Sequence, residues 1–414
     1  MKVLTEVKKN NFFLEIIPDG KTKNFLRTHF FVKYDLNVED IPKSLVNAVG
    51  VGILFPLALL SGEGISVDVL DRDFLYSLQR LAKIFHLMYP SLPYDNDIID
   101  VKQEESNSAA TRTGALLAFS GGVYSTYLLF KLLSESKRPI LTIIWGTDIE
   151  LFDLRKIHET INYITQICKV FNLSWNLVTF VSPFAMEKLD IFSFTRLRYN
   201  DFWGGLASSI ATVALIIPVA FINGVKEVYI AAGLPDIFSK WFPWADYKMI
   251  YESIKFGGIE VRSESQTRLH KLSYLINYAK KFNFQPRLRV CFASKGTYNC
   301  GLCEKCLRTI AELMILGQNP VDWGFPFFNM NIKGRLSNIR LNMIDLILWK
   351  EIQLADKNNI LGIRNATLSK LIEKNLRYSV IQNSLFRIAY ELKLEPLLNI
   401  TKKIKKLFNT KEKN

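Results

Sequence analysis

Residues 114–126 read Gly-Ala-Leu-Leu-Ala-Phe-Ser-Gly-Gly-Val-Tyr-Ser-Thr. The run GALLAF has no polar side chain, the pattern of a strand covered on both faces. Helical spacing follows at once, from Val123 to Leu133. A strand-to-helix turn of this kind aims backbone N–H groups at one point, and the helix dipole adds partial positive charge there. Gly121 and Gly122 lack a Cβ, so an anion can approach the backbone closely. Ser120, Ser125 and Thr126 add hydroxyl donors, which makes the stretch a candidate phosphate cradle. The spacing is neither that of the kinase and GTPase loop (GxxxxGKS/T) nor that of the dinucleotide loop (GxGxxG). An ordinary glycine turn between strand and helix would carry the same letters.

Outward from this turn, strand and helix alternate. PILTIIW (139–145), SWNLVTFV (174–181) and EVYIAAG (227–233) read as further strands. Asp153–Phe171 and Trp203–Ile222 read as helices between them. This alternation predicts an α/β fold with a doubly wound parallel sheet. Ligands of such sheets bind beyond the carboxyl ends of the strands, here the loops after Phe119, Trp145, Val181 and Gly233. Asp148 and Asp236 fall in two of those loops. Each could hold Mg²⁺ or orient a substrate, or simply cap a helix or turn. Trp241, Phe242, Pro243 and Trp244 could wall a planar substrate or plug the core.

The second cluster is cysteine. Cys291, Cys300, Cys303 and Cys306 are spaced C-x8-C-x2-C-x2-C, with LRVCF (288–292) read as a strand leading in and Glu304–Leu316 as a helix leading out. A C-x2-C step puts two sulfurs on one metal, and four thiolates close a tetrahedral Zn²⁺ site. A closed site is structural, because no position is left for water. An iron–sulfur cluster is the competing occupant. Cys168 falls mid-helix and reads as a small buried hydrophobe.

Around this centre the sequence suggests three regions. Residues 1–100 read as an N-terminal α+β domain, with strands NFFLEII (11–17) and THFFVKYDL (28–36) and helices Leu45–Leu60 and Phe74–Met88. Tyr94–Thr113 is acidic and then Ser/Asn/Thr-rich, and reads as a linker. Residues 112–318 form the nucleotide domain with the zinc site, and 319–414 a helical, basic C-terminal region. Leu45–Leu60 and Gly204–Phe221 lack charge but read as buried helices, so no membrane span is expected. The charged start MKVLTEVKKNN lacks the apolar core of an export signal, which points to the cytoplasm. The net charge of +14 invites a polyanion and leaves a nucleic-acid partner open, although Lys402, Lys403, Lys405, Lys406, Lys411 and Lys413 concentrate much of it in a tail. The oligomeric state, a homodimer included, is not written in these features.

Strand-SGGxxS-helix, the LASSIATVAL helix (206–215) before a strand ending in AAG, and a terminal C-x8-C-x2-C-x2-C-x-R together resemble the PP-loop ATP pyrophosphatases of the 7-cyano-7-deazaguanine synthase type. The resemblance covers Leu116 to about Leu316. It implies an adenine-nucleotide α-hydrolase-like fold, with ATP held by Ser120, Gly121, Gly122, Ser125 and Thr126, and Arg308 facing phosphate. It also implies adenylation of a small carboxylate or modified-base precursor, release of pyrophosphate and formation of a C–N bond, with Zn²⁺ in a structural role. The resembled pattern is SGGxDS, and its Asp position holds Tyr124. A phenol is a poor ligand for Mg²⁺, so an active enzyme would need Asp148 or Asp236 to serve the metal. Two other readings stand beside this one: a degenerate relative that binds nucleotide or partner without turnover, and a tRNA-modifying enzyme.

Overall fold

The computed structural model describes residues 1–361 apart from 19, 21, 28–29, 94, 96, 108–110, 198–200, 234, 240–241, 292–297, 327–342 and 359. The chain divides into two units, Met1–Thr297 and Tyr298–Asn414.

The first unit is built on one eleven-stranded sheet. Its strands are β1 (Lys2–Lys8), β2 (Asn11–Ile17), β3 (Phe31–Tyr34), β4 (Ile65–Asp71), β5 (Ile99–Glu105), β6 (Ala115–Ala118), β7 (Ile140–Trp145), β8 (Trp175–Val181), β9 (Glu227–Tyr229), β10 (Lys255–Phe256) and β11 (Ile259–Arg262). They lie in the order β10-β11-β9-β6-β7-β8-β3-β2-β1-β4-β5. The helices are α1 (Lys43–Ser61), α2 (Arg72–Met88), α3 (Val123–Ser134), α4 (Leu154–Phe171), α5 (Met186–Arg196), α6 (Ser208–Ile222), the single turn α7 (Lys248–Tyr251) and α8 (Arg268–Phe282).

The four strands expected from the sequence become four neighbouring parallel strands. β6 pairs with β7 on one side and with β9 on the other, and β7 pairs with β8. The chain therefore steps from β6 through β7 to β8 in one direction and returns to β9 on the far side of β6. That reversal opens a crevice at the carboxyl ends of β6 and β9, where α/β sheets bind ligands.

The N-terminal residues do not fold as a compact unit of their own. β3 pairs antiparallel with β8, so the strands of residues 1–100 extend the same sheet. Helix α1 packs on α6 as well as on β1 and β4. Gly52 makes that approach close, since a Cβ there would stand 2.7 Å from Cβ of Ala214 and 2.9 Å from Phe74. Leu54, Phe55 and Leu57 of α1 are fully buried, and each such side chain contributes roughly 1.5–3 kcal/mol. The expected linker is also structured, for β5 runs through it parallel to β4 at the sheet edge. Its Asp100, Lys102 and Glu104 are exposed, as befits an edge strand protected by charge, and this is why it lacks apolar periodicity.

Helix α1 and the continuous helical stretch Trp203–Ile222 are long and apolar enough to cross a membrane, yet 94% and 78% of their most apolar windows are buried inside the protein. The latter opens with a π-helical turn, Trp203–Ala207, against which Trp244 packs at Gly204.

In the second unit, α9 (Glu304–Ile315) packs on α10 (Met343–Ala355). A short 3-10 turn, Pro320–Trp323, is capped by the Asn319 side chain. Residues 327–342 and 362–414, including the lysine-rich tail, lie outside the described residues.

Candidate functional site

The turn after β6 is held by its own hydroxyls and by a residue from far along the chain. Gly121 has φ +74°, a left-handed conformation that glycine adopts without strain. Ser125 Oγ accepts the Ser120 N–H at 3.3 Å and lies 3.2 Å from Ser120 Oγ. Gly122 is the N-cap of α3 and offers no side chain to the helix start, leaving first-turn N–H groups for water or a ligand. Thr126 is buried in the same turn, and its Oγ1 has no partner among the described residues.

Arg289 clamps this loop. Its backbone N–H donates to Gly121 O at 2.8 Å and its Nε to Ser120 O at 2.9 Å. Nη2 lies 3.7 Å from Asp148 Oδ2. Nη1 is buried with no hydrogen-bond partner among the described residues. Residues 288–291 are irregular, so LRVCF is not the expected strand. The Arg289 amide bonds to the loop after β6 instead of to a sheet ladder. Thus Asp148 does reach the loop region, but as the partner of a guanidinium.

Asp236 opens a 3-10 turn, Asp236–Phe238; its N–H donates to Ser265 Oγ, and its Oδ1 accepts the Met249 N–H at 3.4 Å. It serves as a turn and cap residue in this arrangement. The carboxylate beside Gly233 is Asp246. It accepts the Tyr251 hydroxyl at 2.9 Å, and a Cβ on Gly233 would lie 2.3 Å from its Oδ2. Burial, then the Asp246 charge, push Tyr251 far above its ordinary value, so it stays a donor. Trp241 lies outside the described residues, whereas the backbone carbonyls of Phe242 and Pro243 accept the hydroxyls of Tyr247 and Tyr89. With Trp244 against Gly204, these residues act as packing.

Across the crevice, Lys271 of α8 is 1% exposed. Its Nζ donates to Ala232 O at 2.8 Å and stands 4.3 Å from the Tyr124 ring centroid. The Arg268 guanidinium lies 5.2 Å from the same ring. Burial lowers Lys271 most; Arg268 lowers it further against the opposing pull of Asp246 and Glu264, leaving it at about 7.

The four sulfurs of Cys291, Cys300, Cys303 and Cys306 all lie within 4.8 Å of one another. Tetrahedral thiolates at a Zn–S distance of about 2.3 Å would stand about 3.8 Å apart. Cys300 Sγ and Cys306 Sγ are 3.9 Å apart, and all four cysteines are free of disulfides. Cys300 Sγ also accepts the N–H groups of Leu302 and Cys303, each at 3.3 Å. Such donors stabilise a thiolate, and the position of Cys303 and Cys306 at the start of α9 does the same. The buried Lys156 donates to Cys291 O at 3.4 Å, bringing a cation beside the cluster. The cluster can hold a metal ion such as zinc. By contrast, burial raises the Cys168 thiol to about 11, an inert group.

Arg308 is buried on α9, where its Nη2 donates to Glu304 Oε2 at 3.1 Å and its Nε lies 2.7 Å from Oε1 as an ion pair. Trp349 Nε1 donates to the same carboxylate at 3.0 Å. The guanidinium expected to face phosphate is thus engaged within its own helix.

Arg289, Lys271 and Asp246 were not singled out by sequence. Arg289 carried one local hint, a charge between apolar neighbours two residues before a metal ligand. Lys271 and Asp246 carried none. The chain matches no family model, and no curated protein matches it.

Proposed function

We propose that this protein binds ATP through a PP-loop at Ser120–Gly122 and activates a carboxylate by adenylation, leading to a C–N bond. The observation that carries the reading is the loop at the β6/β9 switch point, clamped by Arg289, whose Nη1 still has a hydrogen bond to give. A carboxylate oxygen would attack the α-phosphorus, the bond to the bridging α–β oxygen would break, and pyrophosphate would leave. Ammonia would then attack the acyl-adenylate, releasing AMP and a proton and leaving an amide; a second activation would take the amide to a nitrile. The chain's part in these steps is electrostatic: backbone N–H groups, Arg289 and the helix dipole stabilise charge on the phosphates. In this reading Zn²⁺ in the four-cysteine site is structural and takes no part in the chemistry.

A second reading, nucleotide binding without turnover, draws on Tyr124 and on the engagement of Asp148 by Arg289. The tRNA-modifying reading rests on net charge alone, and the inert Cys168 gives it no sulfur carrier. Exchange of labelled pyrophosphate into ATP, run with a panel of small carboxylates, separates the first two. Carboxylate-dependent exchange is the expected result. ATP binding without exchange for any acid leaves the binding-only reading.

A further inference from the structure

Lys271 touches both walls of the switch-point crevice. Its Nζ bonds to Ala232 just beyond β9 and lies over Tyr124 in the first turn of α3. An ammonium has three donors, and the carbonyl of Ala232 takes one. The faces of Tyr124 and Tyr127 offer it only their ring quadrupoles. The charged groups around it are Arg268 on its own helix, Glu264 just before that helix, and Asp246 in the segment after β9. Glu264 pairs with Lys131 of α3, and Asp246 accepts the Tyr251 hydroxyl. Lys271, Arg268 and Lys131 thus stand against the two carboxylates Glu264 and Asp246, an excess of one positive charge, and Arg289 brings a further guanidinium to the loop itself.

The acidic side is thin by comparison. Among the described residues, the four cysteines form the only group of three or more His, Cys, Asp or Glu side chains placed to hold a metal. Asp148 stands 3.7 Å from Arg289 Nη2 as its ion-pair partner, and Asp236 caps a backbone N–H. Tyr124 adds no carboxylate. A hard divalent cation wants oxygen ligands, which these residues do not offer together. A phosphate chain wants cations, which they do.

We infer that Lys271 and Arg289 pair directly with the phosphate chain of the nucleotide, so that the site binds it without a divalent cation. This inference rests on the nucleotide reading above. Two fixed cations and the α3 N-terminus supply the counter-charge that a magnesium ion would otherwise bring. The low proton affinity of Lys271 is consistent with this role: burial penalises the ammonium by more than Asp246 and Glu264 offset, and a phosphate oxygen bonded to it would oppose that penalty.

The test is calorimetric titration of the full-length, metal-loaded protein with ATP, in resin-treated buffer with and without added magnesium. The two affinities are expected to agree within about threefold, and Lys271→Met to weaken binding by about tenfold or more. Lys271→Arg, which keeps the charge, should recover part of the loss. Circular dichroism checks that each variant is folded, and removal of a buried ammonium for an apolar chain of similar length favours that. ATP binding tighter with magnesium by about tenfold or more would overturn the inference and leave the nucleotide reading standing, as would Lys271→Met binding like wild type. No binding of ATP in either buffer would overturn both.

Discussion

The backbone N–H of Arg289 donates to the carbonyl of Gly121 at 2.8 Å, although the two residues stand 168 positions apart in the sequence. A residue two positions before Cys291 thus fixes the glycine at the centre of the loop after β6. The side chain repeats the attachment at Ser120 O and carries a second branch to Asp148.

Replacement of Arg289 should therefore cost binding more than fold. Arg289→Lys keeps the charge but cannot bridge a carbonyl and a carboxylate while leaving a donor spare, because it lacks the planar fork. ATP affinity should fall roughly tenfold for Arg289→Lys, and less for Asp148→Asn, which removes only a 3.7 Å ion pair and leaves the guanidinium bonded to Ser120 O. Calorimetric titration of both variants gives the ranking. An Asp148→Asn loss larger than that of Arg289→Lys would mean that the carboxylate itself contacts the ligand or its metal.

The cysteine cluster should carry about one zinc per chain, measured by plasma mass spectrometry on protein purified without added metal. Cys303→Ser should lose the metal and lower the melting temperature by roughly 5 °C or more, since metal-binding energy is also folding energy. A brown protein with charge-transfer absorption would instead indicate an iron–sulfur cluster.

Lys271 gives a pH signature. Burial takes it from the ordinary 10.5 down to about 7. Between those values the unfolded chain binds more protons than the folded one, so this residue's contribution to stability rises with pH. Below about 7 the folded protein holds a buried ammonium and bears its full desolvation cost. Lys271→Met removes that cost, so the variant should melt higher than wild type near about pH 6, with the gap closing towards about pH 10. Thermal melts of both proteins across that range provide the check. A gap independent of pH would place the folded lysine near its ordinary value.

The shared sheet predicts that the region from residue 112 onward cannot be cut free. A chain beginning at residue 112 loses α1, which covers α6, and loses the strands that extend β8. It should express as insoluble or molten material, judged by gel filtration and near-ultraviolet circular dichroism. A monodisperse, cooperatively melting fragment would show that the N-terminal strands are an accessory.

A parallel strand buried on both faces writes itself as an apolar run, which is why GALLAF is legible, and PILTIIW, SWNLVTFV and EVYIAAG are legible from their β-branched and aromatic residues, as is the glycine turn between β6 and α3. Local spacing likewise disclosed the cysteine cluster, because C-x2-C is a local geometry. What sequence did not disclose is long-range. Nothing in NFFLEII or THFFVKYDL says which strand they pair with, so their union with β8 was missed. The edge strand β5 presents charge to solvent and looks like a linker. Arg289 and Lys271 take their meaning from partners more than a hundred residues away for Arg289 and thirty-nine for Lys271. Arg308, the arginine that did follow a motif, is instead taken up by Glu304 on its own helix.

Titration of the folded, metal-loaded protein with ATP, beside a Gly121→Val variant, tests the central claim most directly. Gly121 sits at φ +74°, where a β-branched residue is strained and the cradle loses its shape. Wild type should bind one ATP per chain with an affinity that inorganic tripolyphosphate competes away, and Gly121→Val, if its far-ultraviolet spectrum is unchanged, should bind none. Wild-type protein with its metal in place and no heat of ATP binding, or a Gly121→Val variant that binds as tightly as wild type, would contradict the assignment of this loop to phosphate.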